Sequence, residues 1–349
     1  MRKLIAIICS AVLCAALCVT LSWAGDAPSA DASQKDPNQP ALKEVEKQSE
    51  AKPDPNTPVS DPNQEIADKD DPNSEKNDAL APEEDDKTTF PVASPLPELY
   101  KACQVVFDLA VNDNGDVNYS LLRRKRSSLN AAIRLLDASH PARIMAMDNA
   151  EKQAFWINAY NLCTLKLIVD NYPIEPKWYM ILYPNNSIMQ ITDPWTKNYF
   201  KIQGLEYNLE EIRDEMLLQR FKDPRICFAL SYAAQGGAIL RKEPYRAEIL
   251  DQQLDDQVRK YLALPKGLII DKETNTVYLS NQFNIFRDTF LNSKYAEIKK
   301  FRNRKDDEKA WLNFLMEYLP EDQKKILEPG DVKFEFLRYD WLLNETTGQ

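Results

Sequence analysis

The sequence predicts an α+β fold: a helix-rich single domain around a buried central helix, with small antiparallel sheets or hairpins, preceded by a disordered spacer. Three observations carry this expectation. Residues 154–169 (AFWINAYNLCTLKLIV) are apolar nearly all round, as in a helix buried on most faces. Short strand-like runs bracket turn residues at 203–204 and between 271 and 276. Such hairpins among helices do not read as an alternating wound βαβ sheet. Finally, residues 26–89 hold nine prolines and no Phe, Trp or Tyr, too little apolar surface to offset the entropy of ordering.

The N-terminus reads as an export signal over residues 1–24. Arg2 and Lys3 precede a long apolar run, and Ser22-Trp23-Ala24 places small residues at a cleavage site. Cleavage falls between Ala24 and Gly25. The competing reading is an uncleaved anchor, since about 20 apolar residues can span a bilayer. Cys9, Cys14 and Cys18 lack the preceding small residue that a lipid-anchored cysteine needs.

Residues 25–90 form an acidic spacer with four Asp-Pro-Asn turns, beginning at Asp36, Asp54, Asp61 and Asp71. Their irregular spacing is not that of a structural repeat or of a calcium loop. This spacer dominates the charge. The chain of 349 residues carries 44 Lys+Arg, 54 Asp+Glu and a net −10. Residues 26–90 alone hold 18 acidic against 7 basic residues, so the rest is near neutral. No basic stripe marks a nucleic-acid binder. Protein or small-molecule partners in the envelope are expected, and the membrane only through an uncleaved leader.

The globular domain is expected over 91–349. Residues 96–111 are helical by periodicity, and Asn112 to Tyr119 form an Asn-Gly turn. Residues 120–136 read as one helix bearing four consecutive cations at 123–126, a solvated face rather than a binding patch. Asp148 and Glu151 have the spacing of a capping box for the central helix. Inside that helix Asn158 and Asn161 lie on one face. Buried amides need partners, so they either tie loops to the helix or line a pocket; the residues alone favour the tie.

Further on, residues 199–208 form a hairpin, and Asn208 caps a helix through residue 220. Residues 226–232 read as a short apolar strand, and residues 244–262 as a helix. Residues 268–271 and 276–280 pair as a hairpin, with a late strand at 332–336. Gly236-Gly237 has neither the Lys-Ser/Thr nor the third glycine of a phosphate loop, so no nucleotide cofactor is expected.

Histidine-based chemistry is nearly excluded by composition. His140 is the one histidine, in a Ser-His-Pro linker between helices. Histidine metal sites and paired-histidine acid–base machinery are impossible, and no metal is expected. Cys103, Cys163 and Cys227 are an odd, widely spaced set in apolar surroundings, which is not a disulfide framework.

Several segments together resemble a known family. Residues 155–161 (FWINAYN) followed by 164–167 (TLKL), Asp223-Pro224-Arg225 running into Phe228-Ala229-Leu230, Leu279-Ser280 through Phe290, and Tyr339-Asp340-Trp341 with Leu343-Asn344 look like the motifs of the "domain of unknown function 547" family. The resemblance covers roughly residues 100–344, in order. It implies a polar site of His, Glu and Cys, of thiol-hydrolase or metal type, with no established activity to carry over. This sequence departs at those positions. The family's Glu-His pair falls on Arg213-Asp214, its next histidine on Cys227, its two cysteines on Tyr232 and Gly237, and two prolines on Ala238-Ile239. Trp156, Asn158, Asn161, Arg225, Leu240, Ser280 and the Tyr339-Asp340-Trp341 turn remain.

The resemblance and its departures imply a pocket of Asn158, Asn161, Arg213, Asp214, Arg225, Cys227, Tyr232, Gly237 and Asp340. The leading expectation is an exported envelope module whose site has lost its chemistry and binds a ligand or protein. The alternatives are a hydrolase using Asp214 or Asp340 as general base, and a purely structural domain.

Overall fold

The structure, a computed structural model, describes Ser94 and residues 96–346. All of these fall in the second of two compact units, Lys76–Gln349. The leader, its Ala24–Gly25 cleavage site and the acidic spacer lie outside the described residues.

The order begins with α1 (Leu96–Ala110), α2 (Tyr119–Arg124), α3 (Ser127–Asp137), α4 (Pro141–Ala146) and α5 (Asn149–Asn171). The 112–118 stretch is the expected turn, with Gly115 at φ +79°. The single helix expected over 120–136 is two. No residue from 123 to 128 is buried, so nothing there packs to hold a continuous helix. The four cations sit exposed at the break. His140 is exposed and caps α4, its Nδ1 accepting from the Ala142 N–H.

The central helix is α5. Its capping box is closed both ways, Glu151 N–H to Asp148 at 2.8 Å and Asp148 N–H to Glu151 at 3.0 Å. From Gln153 to Val169 every residue but Lys166 is buried. α1, α2 and α3 pack against it, as does the π-helical stretch described next.

After α5 come β1 (Phe200–Ile202) and β2 (Leu205–Tyr207), the expected hairpin, with Phe200 opposite Tyr207. Asn208 then caps a helix, again with a capping box to Glu211. This helix comprises α6 (Leu209–Glu211), a π-helical stretch (Ile212–Leu218) and α7 (Gln219–Phe221). The strand expected at 226–232 is instead a 3-10 turn, Pro224–Phe228. An apolar run this short does not distinguish strand from helix. Asp223 decides it, accepting from the Arg225 N–H ahead of Pro224 at the first helical position.

The helix expected from 244 starts later, with a 3-10 turn (Ala247–Ile249) leading into α8 (Leu250–Leu262). β3 (Leu268–Asp271) and β4 (Thr276–Ser280) are antiparallel, as expected. Then follow α9 (Gln282–Ile285), α10 (Arg287–Leu291), α11 (Lys294–Glu297), α12 (Asp306–Tyr318) and α13 (Glu321–Leu327). β5 (Lys333–Leu337) joins β4 in parallel, Val277 opposite Phe334, so this sheet is mixed. The helical run between them is the long crossover that parallel pairing requires.

The chain end returns to the core. Val117 bridges Glu345, and the Tyr119 hydroxyl donates to Asn344 Oδ1 at 2.7 Å. No helix among the described residues is long and apolar enough to cross a membrane.

Candidate functional site

Arg213 and Asp214 lie in the π-helical stretch, a helix form frequent at functional sites. They grip each other: Arg213 Nε and Nη2 each donate to one Asp214 oxygen at 2.6 Å. This is the bidentate geometry that suits guanidinium and carboxylate best. Both carboxylate oxygens are therefore engaged by one partner.

Around this pair lies a buried polar cluster. Tyr160 on α5 and Tyr232 stand with ring centroids 6.1 Å apart, and Trp195 lies 6.1 Å from Tyr232. Tyr232 and Trp195 approach the Tyr160 hydroxyl, yet the Tyr160 Oη, Tyr232 Oη and Trp195 Nε1 atoms close no hydrogen bond of ordinary geometry. Burial pushes the Tyr160 phenol up to about 12, with Arg213 working against it. Burial also raises Tyr232 well above its usual range, and the neighbouring Tyr160 adds to this.

Cys227 joins the same cluster from the 3-10 turn. Its thiol is fully buried and raised well above the ordinary value, first by burial and then by Asp223. Arg213 and the Thr289 hydroxyl pull the other way without reversing it. A thiol held protonated is a poor nucleophile. Gly237 completes the group, because a Cβ there would stand 2.8 Å from the Tyr339 hydroxyl and 3.5 Å from Tyr232 Cβ. A cysteine at this position would have to displace Tyr339.

Thus Arg213, Asp214, Cys227, Tyr232 and Gly237, spread over 25 positions of the sequence, are neighbours. The two asparagines serve the scaffold beside them. Asn158 bonds both backbone groups of Tyr245. Asn161 donates to the Ala229 carbonyl at 3.0 Å and accepts from the Ser231 N–H at 2.8 Å. Asn161 thereby fixes the stretch between Cys227 and Tyr232, and the tie reading of both residues describes their contacts.

Arg225 is placed elsewhere. Its guanidinium joins Asp223, Asp251 and Asp255 at 2.7–2.8 Å, fastening the 3-10 turn to α8. Asp340 lines a separate cavity of about 240 Å³ with Gly236, Lys266, Ser280 and Asn281. The two regions meet at the Tyr339-Asp340-Trp341 turn. There Gly236 donates to the Asp340 carbonyl at 2.8 Å, and a Cβ on Gly236 would lie 2.6 Å from the Asp340 nitrogen. Only glycine permits that approach. Trp341 packs tilted against Tyr339 with centroids 4.4 Å apart and edge-to-face against Trp195 at 6.0 Å, linking cluster and cavity.

Sequence reasoning missed Tyr160, Trp195 and Lys266 as site residues. Tyr160 stands inside the FWINAYN motif, which was its one available signal. Trp195 and Lys266 sit in loops that no periodicity marks. Among the described residues, no group of three or more His, Cys, Asp or Glu side chains could hold a metal.

Comparison with curated proteins and with solved structures gives no match. Residues 144–262, which carry α5 through α8 and every expected pocket residue except Asp340, match the family model described as "Protein of unknown function, DUF547".

Proposed function

We propose that this is an exported envelope protein whose folded domain is a non-catalytic binding module, a divergent family member carried on an acidic tether. One observation carries the loss of chemistry. At the position where the family's second motif has a histidine stands Cys227, a buried thiol whose pKa is driven up rather than down. Activated cysteines need a nearby imidazole, a cation-rich setting or exposure. His140, exposed at the start of α4, supplies no imidazole to this cluster.

The hydrolase alternative draws less support. A general base must present a free oxygen within reach of a proton on the substrate. Asp214 has both oxygens on Arg213. Asp340 keeps one oxygen free while the other takes the Leu342 N–H at 2.9 Å, but among the described residues no second carboxylate and no histidine lines its cavity. Export and tethering rest on the leader and on the composition of residues 25–90.

The test is thiol reactivity of the full chain. Iodoacetamide at pH 8, read by peptide mass, is expected to leave Cys227 unmodified in the native protein and to label it in urea. Rapid native labelling of Cys227 would overturn the reading.

A further inference from the structure

The cavity bearing Asp340 has a composition that the degenerate site does not account for. Its walls come from three places brought together by the fold: the Gln235-Gly236 turn, the loop before β3 with the end of β4, and the exit of β5. Lys266 is its central cation. Its Nζ donates to the Gln235 carbonyl at 2.7 Å and lies 5.9 Å from the Tyr261 ring centroid. Among the described residues it forms no ion pair, although it is largely withdrawn from solvent. Burial lowers its pKa, while Asp116 and Asp340 act in the opposite direction. An ammonium has three donors and only one is used here, so two remain for a ligand.

Arg338 and Asn281 extend this donor side. Arg338 also has no ion-pair partner among the described residues, and it lines the same cavity. The acceptor side is Asp340 and Ser280. One Asp340 oxygen takes the Leu342 N–H, and no hydrogen bond occupies the other. The Ser280 hydroxyl can be assigned. Tyr261 has one proton and donates it to the Gly236 carbonyl at 2.8 Å, so Ser280 must donate to Tyr261 across their 2.6 Å contact. The Ser280 oxygen also takes the Gln282 N–H at 3.3 Å, which leaves one of its two lone pairs for a ligand.

Cation and carboxylate thus line one cavity without pairing. A plain anion would meet Lys266 and Arg338 but be repelled by Asp340, and a plain cation would face the reverse. A volume of about 240 Å³ is smaller than the roughly 300–1,000 Å³ of pockets for drug-sized ligands.

We propose that this cavity binds a small zwitterion, a carboxylate beside an ammonium as in an amino acid or dipeptide. Lys266, Arg338 and Asn281 receive the carboxylate, and Asp340 with Ser280 receives the ammonium. The inference rests on the binding-module reading and names its ligand class. Its failure leaves the Cys227 labelling result intact, so the two fail separately.

The experiment is calorimetric titration of the full chain at pH 7 with glycylglycine, acetate, methylammonium and N-acetylglycylglycine as probes. Glycylglycine is expected to bind saturably. The three probes carrying a single charge are expected to bind at least about tenfold more weakly, the scale of one lost charge-assisted hydrogen bond. Lys266→Met and Asp340→Asn, each checked for native circular dichroism, are expected to weaken glycylglycine by a similar factor. If Asp340→Asn does not fold, the acetylated probe, which lacks the ammonium, reports on the same half of the site in the unmodified protein. The proposal is overturned if glycylglycine gives no saturable heat, if acetate or the acetylated probe equals it, or if folded Lys266→Met binds it unchanged.

Discussion

Asn158 holds Tyr245 by both of that residue's backbone groups: its Nδ2 donates to the Tyr245 carbonyl at 2.8 Å, and the Tyr245 N–H donates to its Oδ1 at 3.0 Å. The side chain is wholly buried in the middle of α5. It acts there as a piece of backbone, satisfying a loop that no strand or helix partner reaches. Replacing it with Ala strands two buried polar groups. Asn158→Ala is expected to lose about 2–4 kcal/mol of unfolding free energy, measured by urea denaturation. A loss below about 0.5 kcal/mol would show that the loop finds other partners.

Arg225 gathers three carboxylates from two elements. Lysine keeps the charge but offers a single point in place of a planar fork. Arg225→Lys is therefore expected to destabilise by about 1–3 kcal/mol. Asp251 is the most exposed of the three acids, so Asp251→Asn is expected to cost about 0–1 kcal/mol. Equal losses in the two variants would contradict this ranking.

Alkaline pH should weaken the fold. Burial pushes Tyr100 and Tyr160 from 10.0 up to about 12. Between those values the unfolded chain releases protons that the native chain keeps. Their contribution is fully present below pH 10 and is lost as the pH rises toward about 12. Tyrosinate absorbance and circular dichroism followed together test this. Ionisation of every tyrosine before any unfolding would refute the prediction.

Large apolar side chains need not support this fold merely by being large. Trp178, Ile181 and Leu182 are 87%, 82% and 72% exposed, in a loop whose backbone is held by the buried Gln190 amide. Serine at all three positions is expected to change stability by less than about 1 kcal/mol in thermal denaturation. Phe228 offers the contrast, packed within 5.4–5.7 Å of the rings of Tyr261, Phe283 and Phe314. Phe228→Ala is expected to cost about 3–5 kcal/mol.

Local patterns were legible wherever the physics is local. The Asp148 and Asn208 caps, the Gln203-Gly204 hairpin and the apolar circumference of α5 each depend on residues a few positions apart. The run at 226–232 was misread because its conformation turns on Asp223 and on Asn161, 70 residues from Ser231, and not on its own composition. The late strand was legible as a strand, but its parallel partner was not, since pairing is settled by where five intervening helices pack. Of the expected site, the family frame pointed to Arg213, Asp214, Cys227, Tyr232 and Gly237, which do meet. It did not reveal that Arg225 is a structural tie or that Asp340 opens on another cavity.

By itself the sequence determined the helix-rich class, the buried central helix, the charge imbalance of residues 26–90 and the absence of histidine chemistry at the family's positions. These follow from composition, periodicity and capping, which act over a few residues. Only the tertiary structure decided that Cys227 is buried beside Arg213 and unpartnered phenols, and that Lys266 and Asp340 share one cavity without pairing. Burial and charge proximity are properties of surfaces brought together by packing, and residues as distant as 266 and 340 acquire them only when the chain closes.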